Sequence, residues 1–321
     1  MFGRIFRITT GNPGEPGLEL VKPELGINNL IFDAKISKFP GVDINKMVLS
    51  IYNLPVEHRR RIIVNRYNNL QVDFGYEDEG GTLSTLFKGN VVRLQYERES
   101  PETTVTKIYS YENGDFVQYG FYSGTLEQNA NIVDVVDTIC NYIDEDDTSE
   151  GQVIPYQIDT SISNVTLPSS MSLYCAKTEA LQRVAYECNV EYQLKNGGVY
   201  FTQKESDEGK INAVTFTKVI ENNKIASTSG LIGIPTLTSE GLQFECLINP
   251  LIDIYSYVKM DNSIISISQT SESDFQPEAE FGAQLDSNGL YKITGLEINA
   301  TNGSGQNKMK ATALARNAYN E

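Results

Sequence analysis

The sequence predicts a mainly β fold interrupted by a small α/β insert, and three observations carry that prediction. Apolar and polar residues alternate at period two through the N-terminal part, the signature of half-buried antiparallel strands. The period lengthens to that of an amphipathic helix after Asn131, then returns to two towards the C-terminus. This order divides the chain into residues 1–125 (β), 126–225 (α/β insert) and 226–321 (β).

Taking the elements in order, Gly11, Gly14 and Gly17 with Pro13 and Pro16 make too few triplets for a collagen helix and read as an extended loop. Phe32, Ala34 and Ile36 alternate with Asp33, Lys35 and Ser37. Met47, Leu49 and Ile51 form the apolar face of a second strand, and Gln71–Tyr76 forms a third. Val92, Leu94 and Tyr96 alternate with Arg93, Gln95 and Glu97, which predicts one more half-buried strand. A short helix over Val56–Ile63 interrupts them. Asn113-Gly114, between Thr104–Tyr111 and Phe116–Tyr119, is a hairpin signal.

In the middle, Asn131 can cap a helix whose stripe is Ile132, Val135, Val136, Ile139, Cys140 and Ile143. Leu181, Val184, Ala185 and Cys188 mark a second helix. Val190–Leu194, Asn196-Gly-Gly198 and Val199–Thr202 then read as a hairpin. From residue 213 strands resume, with Asn262–Leu285 a long loop or weakly paired hairpin and Lys308–Ala315 a last strand. No close sequence repeat is visible between the two β parts.

Composition narrows the function classes. Of 321 residues, 40% are hydrophobic and 21% charged, the balance of a folded chain. No apolar run approaches the ~20 residues of a membrane span. The opening Met1–Arg7 lacks an apolar signal region, so synthesis in a cytoplasm is expected. The four cysteines (Cys140, Cys175, Cys188, Cys246) form no CxxC pair and are expected to be buried free thiols.

Net charge is −16, but residues 1–107 hold 14 Lys/Arg against 13 Asp/Glu, while residues 108–321 hold 12 against 29. Residues 108–176 carry 11 acids and no Lys or Arg. Such acidity opposes a protein that grips nucleic-acid phosphates. It suits a solvated surface, or one that lets DNA pass without adhesion.

No constellation of residues supports catalysis. The single histidine, His58, is followed by Arg59, Arg60 and Arg61 and has no serine or cysteine motif to serve. Asp144, Glu145, Asp146 and Asp147 lack the spacing and Gly of a calcium loop and read as a solvated acidic loop. No catalytic, cofactor-binding or metal-binding residue is nominated. His58–Arg61 reads either as a polar helix face on the domain surface or, more sharply, as a contact with the acidic surface of a neighbouring subunit, where charge would set register and steer assembly.

Several stretches resemble, in order, the hub proteins of phage-type baseplates. They are Ile51-Tyr-Asn-Leu54, Leu70–Tyr76, Leu86–Val91, Thr106–Gly114, the 173–204 segment, Ser229–Thr238, Gly241–Pro250, Tyr257-Val-Lys259 and Gly289–Ile298. The resemblance implies two tail-tube-like β-barrel domains per chain and a homotrimer whose six similar domains match a sixfold tube. It implies a virion location and a structural, non-enzymatic role as the adaptor between tail tube and central spike, with genomic DNA passing through. Tube or tube-initiator proteins, the spike, the tape measure protein and the baseplate wedge are the implied partners, with no cofactor and no membrane insertion. Three alternatives stand beside it: a baseplate-associated cell-wall hydrolase, a trimeric adhesin, and the hub of a phage-derived bacteriocin or secretion particle.

Overall fold

The computed structural model describes residues 3–315 except 12–16, 23–29, 42, 65–68, 78–81, 113–119, 144–154, 196–197, 205–212, 217, 222–223, 228–229, 268–284 and 304. The chain forms two compact units, Met1–Phe32 with Gly41–Ser206, and Asp33–Pro40 with Asp207–Glu321. The Asn113-Gly114 turn and the strand expected over Phe116–Tyr119 lie outside the described residues.

The first unit begins with β1 (Arg4–Gly11) and β2 (Leu18–Val21), after which β3 (Phe32–Lys38) passes into the second unit from residue 33. β4 (Lys46–Tyr52), α1 (Val56–Val64), β5 (Asn69–Tyr76), β6 (Ser84–Arg98) and β7 (Thr104–Tyr111) follow. They build an antiparallel sheet in the order β4-β7-β6-β5-β1-β2. The expected alternation holds in β4, where Met47, Leu49 and Ile51 are all buried. Phe6 packs on Phe74 with ring centroids 5.1 Å apart. One carboxylate, Asp73, is drawn into this core and satisfied there. Arg7 Nη2 donates to its Oδ2 at 2.7 Å, while Thr85 Oγ1 and Gln71 Nε2 donate to Oδ1 at 2.9 and 2.8 Å.

One expectation for this sheet fails. Of the Val92, Leu94, Tyr96 face only Leu94 is half-buried: Val92 is 42% and Tyr96 52% exposed. β5 pairs with β6 only as far as Asn90, so the far half of β6 outruns its neighbour on that edge.

The rest of the first unit is the α/β part: β8 (Phe121–Leu126), α2 (Ile132–Cys140), β9 (Tyr156–Ile158), β10 (Met171–Ala176), α3 (Lys177–Glu187), β11 (Val190–Lys195) and β12 (Gly198–Gln203). β8 pairs with β10, and β9 runs parallel to β12 of the β11–β12 hairpin. Asn131 caps α2, its Oδ1 accepting the Val133 N–H at 2.8 Å. Ile132, Val135, Val136 and Ile139 face Leu181, Val184 and Phe201 in one core. The helix stops at Cys140, so Ile143 leaves the stripe and is exposed. Lys177 is buried at that helix end, where its ammonium donates to the Cys140 and Tyr142 carbonyls at 3.2 and 2.6 Å. Burial lowers its pKa, and pushes the neighbouring Cys140 thiol up to about 12. Of the cysteines only Cys140 and Cys246 are buried. Cys175 and Cys188 are half-exposed at the margin of that core, Cys188 at the C-cap of α3.

The second unit contains β13 (Ala213–Phe216), β14 (Lys218–Glu221), β15 (Lys224–Ser227), β16 (Leu231–Thr238), β17 (Gly241–Cys246), β18 (Tyr257–Met260), β19 (Ser266–Ile267), β20 (Leu290–Thr301) and β21 (Lys308–Ala315). Its sheet runs β19-β16-β17-β21-β20. The remaining edge of β20 is shared: β18 takes Leu290–Lys292 and β3 takes Leu296–Thr301, both antiparallel. Asn307 closes the β20–β21 turn with two bonds to the Thr301 backbone, at 2.7 and 2.8 Å. Gly289, at φ +70°, leaves room for the Met260 carbonyl, which an added Cβ would strike at 2.2 Å.

The topology contains a repeat that sequence inspection missed. The strand order β4-β7-β6-β5 recurs as β17-β21-β20-β18, antiparallel throughout and in the same register. Met47, Ser110 and Val91 form one row of the first sheet; Leu242, Ala313 and Ile293 form the matching row of the second. Immediately beyond that row each long strand carries a bulge, at Val92 and at Thr294. Immediately before it the fourth strand begins, with Asn69 opposite Asn90 and Tyr257 opposite Lys292. Pro55 and Pro250 stand at equal distance after Met47 and Leu242, since 55 − 47 = 250 − 242.

Candidate functional site

The surfaces that can carry function here are strand edges and charged faces. In α1, Pro55 precedes the first turn, where its missing N–H costs nothing. Leu54 and Ile62 are buried and anchor the helix. His58 and Arg59 are half-buried on its inner side, while Arg60 and Arg61 are exposed. The Arg59 guanidinium lies 4.3 Å over the Tyr96 ring, a cation–π contact that sets the basic cluster beside the far half of β6. His58 Nδ1 and Arg59 Nε are buried without a hydrogen-bond partner among the described residues.

The far half of β6 has two different faces. On one, Lys107 Nζ pairs with Glu97 at 2.7 Å, and Gln95 links Glu97 to the Tyr109 hydroxyl. The Glu97 hydrogen bond raises the Lys107 pKa. On the other face stand Val92, Leu94 and Tyr96. Among the described residues no strand pairs with the outer edge of β6 beyond Asn90.

The matching stretch of β20 is closed. β3 lies along Leu296–Thr301, and its last residue is fastened by a buried ion pair, Lys38 Nζ to Asp253 Oδ1 at 3.0 Å.

In the same unit β16 has a partly open edge. β19 pairs with it only at Thr236 and Leu237. Ahead of these, Ile232 is 37% and Ile234 72% exposed. Gly233, at φ +74°, forms the bulge that shifts the β16–β17 register between Ile232 and Thr236.

Sites for chemistry are weaker. A cleft of about 390 Å³ in the second unit is lined by Thr215, Phe216, Lys259, Asp261 and Asn262, with no histidine or cysteine. Among the described residues no three His, Cys, Asp or Glu side chains gather to hold a metal. The expected acidic loop, Asp144, Glu145, Asp146 and Asp147, lies outside the described residues. No described helix is long and apolar enough to cross a membrane. Sequence reading found the basic cluster on α1 from its charge run; it missed the two strand edges.

Comparison with known proteins adds three likenesses of fold and one of family. The family described as Baseplate hub gp41 matches residues 47–267. The 43 kDa tail protein of prophage MuSo2 from Shewanella oneidensis has a TM-score of 0.57 at 10% identity, over 98% of this chain and 99% of that one. The tail protein from Neisseria meningitidis MC58 has a TM-score of 0.57 at 7% identity, over 99% and 98%. The E. coli c3393 protein has a TM-score of 0.50 at 11% identity, over 91% and 75%. It is described as a component of the type VI secretion system, structurally similar to the T4 tail proteins gp27 and gp5. No curated protein matches by sequence.

Proposed function

The chain belongs to the baseplate hub gp41 family, and from that premise we propose that it is the trimeric hub adapting a sixfold tail tube to a threefold central spike. The observation that carries this reading is the in-register repeat of β4-β7-β6-β5 as β17-β21-β20-β18. A protomer with two equivalent modules gives a trimer six equivalent modules, so it can meet a hexameric ring without symmetry conflict.

In this reading each module completes a tube-like barrel within the ring, and the α/β region (126–225) stands between the flanking β domains (1–125 and 226–321). Tube or tube-initiator proteins dock on one face and the spike on the other, with tape measure protein and baseplate wedge nearby. Genomic DNA leaves through the bore without specific binding. The excess of acids in residues 108–321, Asp144–Asp147 among them, repels phosphates there. His58–Arg61 meet an acidic surface of the neighbouring subunit. The role is structural and not enzymatic. The fold likeness to c3393 favours one second reading, the hub of a secretion or bacteriocin particle, which uses the same ring.

Native mass spectrometry of the purified chain, alone and with its cognate spike, tests the proposal. Three chains, or three chains with three spike chains, are expected; a monomer in both preparations overturns it. An electron-microscopy reconstruction showing a basic bore would remove the electrostatic part.

A further inference from the structure

The two-stranded β8–β10 sheet of the α/β part has one covered face and one open face. Its strands pair antiparallel, with Phe121 opposite Ala176, Ser123 opposite Tyr174 and Thr125 opposite Ser172. These three rows share a face, because alternate residues of a strand point the same way. The opposite face, with Tyr122, Leu126 and Leu173, is buried in the core of the α/β part. On the open face Tyr174 is 81% exposed, and Ser123, Thr125 and Ser172 are exposed beside it.

The open face is aromatic and hydroxylic, and none of its six side chains is charged. Each hydroxyl can both donate and accept a hydrogen bond. Thr125 Oγ1 and Ser172 Oγ lie 3.0 Å apart and engage one another. The Phe121 and Tyr174 rings meet at 77° with centroids 4.6 Å apart, which restrains an otherwise solvent-exposed phenol. Both strands fall within residues 108–176, which hold 11 acids and no Lys or Arg.

We propose that this face binds an uncharged oligosaccharide, with one sugar ring stacked on Tyr174 and sugar hydroxyls bonded to Ser123, Thr125 and Ser172. The site goes beyond the hub reading and does not depend on it.

Charge selects this occupant. The acids of the surrounding segment repel a polyanion. A basic protein would seek carboxylates, and the face itself has none. An uncharged ligand must therefore supply apolar contact and hydrogen bonds together, and a sugar does both. Its C–H groups carry partial positive charge and suit the negative face of an aromatic ring. Its hydroxyls match the Ser and Thr hydroxyls in kind, each donating and accepting. The four steps from Phe121 to Thr125 span about 13 Å of strand, room for a short oligosaccharide. A ring already restrained by Phe121 also loses little freedom when a ligand stacks on it.

The test screens the full chain on an array of neutral oligosaccharides, both plain hexoses and N-acetylated ones, beside sulfated and carboxylated glycans. Hits are titrated by isothermal calorimetry. Neutral glycans are expected to bind and anionic ones to fail. Tyr174→Ala should weaken a hit at least about tenfold, while Tyr174→Phe keeps the stack and should stay within about threefold. Tyr186→Ala, which removes a tyrosine of similar exposure (83%) on α3 outside this face, should leave affinity unchanged. Circular dichroism checks folding; should Tyr174→Ala fail to fold, Ser123→Glu reads the same face and should also weaken the hit at least about tenfold. No neutral glycan bound more tightly than about 10 mM overturns the proposal. So does a preference for anionic glycans, or an affinity that the folded face variant leaves unchanged. A face that instead holds a cationic peptide through Tyr174, with oligolysine as the probe, overturns it too. Each of these results leaves the trimeric hub standing.

Discussion

Lys38→Met attacks the fastening of β3 in the second unit. Its ammonium lies 3.0 Å from Asp253 Oδ1, with side-chain exposures of 5% and 11%. The same carboxylate oxygen accepts the Ile254 N–H at 3.0 Å. Methionine keeps most of the apolar stem but leaves the carboxylate buried without that cation. Breaking such a pair from one side costs about 3–5 kcal/mol. The unit comprises residues 33–40 and 207–321, 8 + 115 = 123 residues. For a domain of that size each kcal/mol moves the midpoint by about 3–5 °C, so a fall on the order of 10–20 °C is expected by scanning calorimetry. Lys38→Met with Asp253→Leu should recover to within about 1 kcal/mol of the parent, because an apolar pair replaces both charges. A single variant within about 1 kcal/mol of wild type, as at an exposed pair, would refute the reasoning. So would a double variant no better than the single.

Other consequences are open to measurement. A thiol reagent at pH 8 should label Cys175 and Cys188 and spare Cys140 and Cys246 until the chain is denatured, since burial holds both of the latter near 12. Their folded values are raised, so the stability linked to the neutral thiols is complete below the ordinary thiol value and declines as pH rises towards 12; urea midpoints that climb above pH 10 would contradict this. Gly289→Ala should cost on the order of 2 kcal/mol or more in chemical denaturation, because it combines a positive φ with a clash on the Met260 carbonyl. Asn131→Ala should cost about 1 kcal/mol by removing the cap of α2, and a Ser replacement should recover most of it. In the proposed ring, Arg60→Glu with Arg61→Glu should slow assembly most at low salt, since exposed charges act on association through steering; an unchanged salt dependence by light scattering would count against the proposed contact.

Local pattern was legible where one element decides its own burial. Met47, Leu49 and Ile51 alternate because β4 has one covered face, and Asn131 announces a cap that the structure contains. The same reasoning failed at Val92 and Tyr96. Period two reports the pleat of a strand and not what lies against it, and here β5 begins only opposite Asn90. Ile143 was misread because the stripe was extended past the residue where α2 stops. The repeat stayed hidden because its copies agree in row, bulge and strand order while their side chains differ, as in Met47 against Leu242 and Val92 against Thr294. Only Pro55 and Pro250 hint at it. The α1 cluster was visible as a charge run, but its place beside Tyr96 depends on how the chain folds back.

The pairing of β3 with β20 also constrains how the protein is made. Ile36 faces Ile298, a separation of 298 − 36 = 262 residues. At about 5–20 residues per second of synthesis, this strand emerges about 13–50 s before the segment it must find. During that interval an apolar, pairing-competent ribbon is presented to the cell while the earlier module can already condense around it. Chaperone attention and premature cross-pairing should therefore concentrate on Phe32–Lys38 in nascent chains. Truncations that remove the terminal hairpin should leave that segment protease-sensitive and aggregation-prone in an otherwise folded fragment.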